Sequence, residues 1–260
     1  MTSASPFSLS GKRALIVGVA NDQSIAWGVA RAMAGAGARI AMTYLNAKAE
    51  PHVRPLARSI DAGLCEPLDV EEPEQLDQLT AAIEDRWDGL DIFVHSIAYA
   101  PRDDLQGRVA DTSDIGFQRA MDISVHSFIR LTRRAEAMMP ASGGACLTMS
   151  YYGAEKVVDN YNVMGPVKAA LEATVRELAA ELGPRAIRVN ALSPGPIATR
   201  AASGIAAFST LLETAQKRAP LRRLADIDDV GQAATFLASD AARAITGVTL
   251  HVDAGQHVLG

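Results

Sequence analysis

The chain has 260 residues, 48% of them apolar and 21% charged, a composition that excludes disordered, collagen-like and disulfide-stapled classes. A net charge of −5 supplies no basic field for nucleic acid or an anionic membrane. No apolar run reaches the ~18 residues of a membrane span, and positions 1–10 lack the basic and apolar regions of a signal peptide.

Short, almost wholly apolar runs recur at 14–17, 40–44, 92–94, 145–149, 187–192 and 248–252, as expected for parallel strands buried on both faces. A further strand is placed just before Asp69. Helical spacing fills 25–36, 74–87, 115–139, 167–182 and 228–239. This alternation predicts an α/β fold with a doubly wound parallel sheet. No linker rich in Gly, Ser or Pro divides the chain, so residues 1–260 are expected to form one domain. Pro51 and Pro55 fall where the second helix should begin; Pro55 is placed in its first turn, with a short helix running on to Asp61. The stretch 193–220, opened by Pro194, Gly195 and Pro196, has no clear strand or helix pattern and is expected to be an active-site lid. Cys65 and Cys146 have no CxxC spacing and lie in strand-like runs, so both are expected to be reduced core thiols of a cytoplasmic protein.

The first strand runs into Gly18, and a helix starts near Ser24 and Ile25. A glycine at a strand end permits a tight turn, and the amides of a helix N-terminus attract a pyrophosphate. The segment is not G-x-G-x-x-G, and a lone glycine after a strand is more often only a turn. The acidic residue that often closes strand two to bind ribose is missing, since Tyr44 is followed by Leu45 and Asn46. Asp69 and Val70 can meet an adenine edge; alternatively, Asp69 caps the helix beginning near Pro73.

Two Tyr/Lys pairs follow the fifth strand. Tyr152 and Lys156 have the Y-x-x-x-K spacing of ordinary short-chain dehydrogenases, but they come directly after the strand, with Gly153 between them, and are set aside as a decoy. Tyr161 and Lys168 are seven residues apart, about two helical turns and ~10.5 Å of rise, which returns both side chains to nearly one face. Such a tyrosine can deliver a proton and such a lysine can hold ribose hydroxyls, its charge favouring ionisation of a nearby phenol. Taken in isolation, a half-buried aromatic and a solvated lysine would be the better description.

The segments 150–156, 160–165 and 187–205, together with 93–101, 18–28 and Val252-Asp253, closely resemble the FabI-type enoyl-acyl-carrier-protein reductases over positions 11 to about 255. The resemblance implies a short-chain-reductase Rossmann fold, a homotetramer, and NADH-dependent reduction of trans-2-enoyl thioesters in type II fatty acid synthesis, with acyl carrier protein as partner. It matches Tyr161 and Lys168 to the catalytic pair and Tyr151 to a second active-site tyrosine. It matches Gly18, Ser24, Ile25, Asp69, Val70, Ile97, Lys168, Ile197, Ala198, Thr199, Arg200 and Ala201 to cofactor contacts. Ala100, Tyr151, Tyr161, Met164 and Ile205 fall on the substrate side.

Two departures stand out. Pro166 lies between Tyr161 and Lys168 and lacks an N–H, so it either bends the helix or sits harmlessly in its first turn. The substrate-loop helix of the family often carries basic residues for an acidic carrier, yet 201–216 contains no Lys or Arg. The expected docking patch therefore shifts to Arg200 on one flank and Lys217, Arg218, Arg222 and Arg223 on the other. Two rival functions are a carbonyl reductase of the same superfamily, whose serine would fall at Thr148, and a non-catalytic NAD(H)-binding sensor, which needs no proton donor.

Overall fold

The computed structural model describes residues 5–199 and 208–259; among these, a single seven-stranded sheet runs in the order β3-β2-β1-β4-β5-β6-β7. The strands are β1 (Arg13–Val17), β2 (Arg39–Tyr44), β3 (Leu64–Pro67), β4 (Ile92–His95), β5 (Gly144–Met149), β6 (Ile187–Pro194) and β7 (Thr249–Val252). Every pairing is parallel. The order reverses between β1 and β4, which opens a crevice at the carboxyl ends of the strands.

Parallel strands require crossovers, and the helices supply them on both faces: α1 (Ile25–Gly35), α2 (Glu50–Ser59), α3 (Pro73–Trp87), α4 (Arg102–Leu105), α5 (Asp114–Met121), α6 (Ser127–Met138), α7 (Met164–Leu182), α8 (Phe208–Arg218) and α9 (Ile227–Ala238). Successive strand residues point to opposite faces. Ala14 and Ile16 accordingly join Ile40, Met42, Val29 and Val230 in one core, while Leu15 and Val17 join Phe93, Phe128, Val167 and Leu171 in the other. Both faces are dry, which explains why the central strands read as unbroken apolar runs.

The helix pattern departs from expectation at three places. The second helix starts earlier, at Glu50, with Pro51 in its first turn and Pro55 inside it; Arg54 pairs with Glu50 across one turn, Nε to Oε1 2.5 Å, and also donates to the Tyr44 hydroxyl at 3.1 Å. The continuous helix expected over 115–139 is interrupted by a π-helical segment, Asp122–His126. Inside the supposed structureless lid, residues 208–218 form α8. Cys146 is buried, but Cys65 is only half-buried and so does not belong to the core; both are free thiols. No helix among the described residues is long and apolar enough to cross a membrane.

Candidate active site

A cavity of about 540 Å³ opens at the carboxyl ends of β4, β5 and β6, lined by Ile25, Ile97, Ala100, Tyr151, Tyr161, Met164, Lys168, Ile197 and Thr199 among others. These nine expected residues come from segments far apart in sequence. Gly18, Ser24, Asp69, Val70 and Ala198 do not line it, and Arg200, Ala201 and Ile205 lie outside the described residues. Sequence reasoning missed Arg102, Leu105, Met149 and Phe208 as lining residues; their spacing carries no chemical signal that would have found them.

The Tyr161/Lys168 pair is built differently from the two-turn helical arrangement expected. Tyr161 precedes α7, in a turn where Asn160 and Asn162 adopt left-handed backbone with φ 61° and 46°. Asparagine tolerates that region, and two such residues stop the helix from extending back to the tyrosine. The first helical residue is Met164. Pro166 is thus third in the helix, where an N–H has no intrahelical acceptor, and it neither bends nor breaks α7. Asn162 Nδ2 also donates to the Leu105 carbonyl at 2.6 Å, tying the turn to α4.

Tyr161 is 8% exposed, with its ring edge-on to Tyr151 at a centroid distance of 4.7 Å and an angle of 62°. Burial pushes the Tyr161 hydroxyl well above its usual range, aided by Tyr151 and Glu172, and pushes Tyr151 up to about 12. Ionisation promoted by the lysine, expected from sequence, is therefore overruled: desolvation wins, and both phenols are neutral donors at pH 7. Lys168 is 4% exposed, and burial lowers it to about 8, against the opposing charge of Glu172. Its Nζ donates to the Met149 carbonyl at 2.7 Å. Glu172, one turn on, accepts from Ser150 Oγ at 2.5 Å.

The π-helical segment has a purpose at the site. It turns Ser124, fully buried, toward the loop after β4, where its Oγ accepts from Tyr99 N at 3.0 Å and donates to Tyr99 O at 3.1 Å. That loop carries Ile97 and Ala100 into the cavity wall. Behind it, Ser127 Oγ donates to Ile123 O at 2.6 Å and so accepts from His95 Nε2 at 2.8 Å. His95 Nδ1 then accepts from Thr148 Oγ1 at 3.1 Å. Burial, with the charge of Lys168, lowers His95 to about 3, so it is a neutral structural bridge.

At the nucleotide end, Gly18 has φ +97°, and a Cβ there would stand 2.2 Å from the Ser96 carbonyl oxygen. Only glycine lets β1 and β4 end this close together. Helix α1 has no side-chain cap and no acidic residue in its first turn, which leaves the amides of Ile25 and Ala26 without helical acceptors and the helix end open to an anion. Asp69 does not cap α3: that position belongs to Glu72, without a side-chain bond, while Asp69 Oδ1 accepts from Glu71 N at 3.0 Å.

The enoyl-(acyl carrier protein) reductase family profile matches residues 18–257. An NADH enoyl-acyl-carrier-protein reductase of Rhizobium meliloti is 48% identical over 97% of this chain and 92% of its own. Its counterpart in Aquifex aeolicus is 50% identical over 97% and 93%, and the crystal structure of that enzyme superposes with a TM-score of 0.94, covering 97% of this chain and 98% of the other. An Anaplasma phagocytophilum reductase solved in complex with NAD is 48% identical, with a TM-score of 0.93 over 97% and 96% of the two chains. The chain belongs to the enoyl-(acyl carrier protein) reductase family.

Proposed function

We propose that the protein reduces trans-2-enoyl thioesters of acyl carrier protein with NADH, in type II fatty acid synthesis. The observation that carries this is the convergence of a neutral buried phenol, Tyr161, and a buried ammonium, Lys168, on one apolar cavity at the sheet's switch point. NADH, when bound, supplies hydride to the β-carbon of the substrate.

The chain's own residues do the rest. The free amides opening α1 would hold the cofactor's pyrophosphate, and Gly18, having no Cβ, would leave room for it at the end of β1. Lys168 donates one N–H to Met149 O and has two more N–H donors for ribose hydroxyls. Negative charge would develop on the thioester oxygen of the reduced substrate, and the Tyr161 hydroxyl would donate a hydrogen bond to it. A donor of this kind contributes about 2.7–4 kcal/mol to the transition state when water is excluded. Tyr151 stacks edge-on and fixes the Tyr161 ring, while Ala100, Met164 and Phe208 bound the acyl side. Thr199 would contact the cofactor near its nicotinamide end, and Ile197 is a further cofactor contact; both line the cavity, where Thr199 N donates to Ile197 O at 2.8 Å.

Support for NADH over NADPH is that no arginine lies in the turn after β2, whose single cation is the exposed Lys48. Asn46 Oδ1 accepts from Lys48 N at 3.1 Å in the turn that leads into α2, and the guanidinium of Arg54, on α2, is engaged by Glu50 and Tyr44. A 2′-phosphate finds no bidentate partner there. Thr148, which would stand for the serine of a carbonyl reductase, is fully buried against His95, which counts against that chemistry.

Exposed Ile115 and Phe117 on α5 and Ile129 on α6 support self-association, for which we propose a homotetramer. The free thiols support a cytoplasmic setting. The test is NADH oxidation with crotonyl thioesters and longer enoyl chains, with sedimentation for the assembly. Cofactor binding without turnover on any enoyl thioester would favour the sensor, and a monomer at micromolar concentration would defeat the tetramer.

A further inference from the structure

At the end of β7 the chain brings together three ligating side chains that the reductase chemistry does not use. His251 is the third residue of the strand, Asp253 follows it, and His257 sits in the turn Gln256–Val258. One donor atom from each lies within 4.8 Å of the others, and the two imidazoles stack with centroids 3.9 Å apart, only 11° from parallel.

The hydrogen bonding leaves one ring nitrogen over. His251 Nε2 bonds Glu155 Oε1 at 3.1 Å, so this nitrogen carries the proton and Nδ1 presents a lone pair. That Nδ1 is buried and has no hydrogen-bond partner. An imidazole whose outer N–H is held by a carboxylate while the inner nitrogen is unpaired is the arrangement of a metal-ligating histidine. Asp253 is equally prepared. It is 6% exposed, its Oδ1 accepts from Gly255 N at 2.9 Å, and its Oδ2 accepts from His257 N at 2.7 Å. The carboxylate is thereby fixed beside His257, whose Nδ1–H donates to it at 3.0 Å from each oxygen, so the lone pair of His257 lies on Nε2 and the carboxylate keeps lone pairs to spare.

We propose that His251, Asp253 and His257 form a binding site for a borderline divalent transition-metal ion, best Zn²⁺. Two imidazoles and one carboxylate are the donor set that zinc takes, a hard ion such as Mg²⁺ preferring oxygen alone. Tetrahedral zinc with bonds of about 2.0–2.1 Å spaces its ligands by roughly 3.3 Å. Closure from the present separation therefore needs one side chain to rotate, and the half-exposed side chain of His257 has that freedom while the buried one of Asp253 does not. Water completes the fourth position. The ion fastens the C-terminal turn onto β7, where Leu221 N donates to Ala254 O at 3.2 Å and the chain returns from α8. It is a structural clamp beside the lid, separate from the reacting atoms.

The test uses the full chain after chelator treatment, titrated with Zn²⁺ against a chromophoric competitor, and with Co²⁺ for visible absorption. One equivalent per chain is expected, with a raised Tm and a tetrahedral cobalt spectrum. His251→Ala and His257→Asn should each weaken binding by a factor of about 100 or more, and Glu155→Gln, which touches only the far nitrogen of His251, by about 10–100-fold. Circular dichroism and NADH binding check that each variant is folded; if His251→Ala is not, Glu155→Gln and His257→Asn decide. Absence of stoichiometric binding, or equal affinity in the wild type and the folded variants, overturns the proposal.

Discussion

Gly153 lies flat against the ring of Tyr161: a Cβ built on the glycine would stand 2.4 Å from Cδ1 and 2.7 Å from Cε1. The tyrosine cannot yield without leaving its contact with Tyr151. Gly153→Ala should therefore shift the Tyr161 hydroxyl and lower kcat on the order of 100-fold, the cost of about 1 Å of misplacement, with NADH affinity unchanged. Tyr161→Phe should give a similar loss in kcat by removing the donor outright. Steady-state kinetics with NADH fluorescence titration check both; full turnover by Tyr161→Phe on a carrier-linked substrate would remove it as the proton donor.

Lys168 should impose an alkaline limb on kcat/KM for NADH. Burial lowers it to about 8, so above that pH it loses the charge that holds the ribose. The linkage to stability has the opposite sign. The unfolded chain keeps this proton up to its ordinary value of 10.5, binds more protons than the native state between pH 8 and 10.5, and native stability from this group rises with pH across that window. Activity and Tm measured on the same samples should diverge there. Lys168→Arg should move the limb out of range, and Lys168→Ala should raise KM for NADH at all pH values.

His95 makes an acid-side prediction. Its native value of about 3 lies below the ordinary 6.5, so between these pH values the unfolded chain binds the extra proton and stability falls as pH falls. Urea midpoints at pH 7 and pH 5 should show this loss, and His95→Gln should flatten it. That variant should also lower stability at pH 7 by about 1–3 kcal/mol, because the buried Thr148 hydroxyl loses its acceptor.

Carrier docking is expected at the end of α8. Lys217 and Arg218 are exposed in its last turn, next to Arg222, which donates to the Lys217 carbonyl, and Arg223, which pairs with Asp229, Nη2 to Oδ1 3.0 Å. The double reversal Lys217→Glu, Arg218→Glu should raise KM for the carrier-linked enoyl substrate about tenfold and flatten its salt dependence. Crotonyl-CoA reduction should be unaffected. Equal losses on both substrates would mean that the pair shapes the lid.

Apolar runs such as 14–17 and 145–149 determined the parallel sheet by themselves, because a strand covered on both faces is built almost wholly of apolar residues and leaves a near-continuous signature. The sequence motifs likewise singled out Tyr161 and Lys168. How the two are held was settled only in three dimensions. Asn160 and Asn162 take left-handed backbone, so the tyrosine reaches the cavity from a turn, and no periodicity in the chain announces that choice. The neutrality of the phenol depends on burial among Tyr151, Gly153 and α7, which are packing partners and not local spacing. Ser124 aiming at Tyr99 from a π-helical segment and His251 meeting His257 across a turn have the same origin. Charge state and orientation are set by what surrounds a side chain, and the surroundings come from elements tens of residues away.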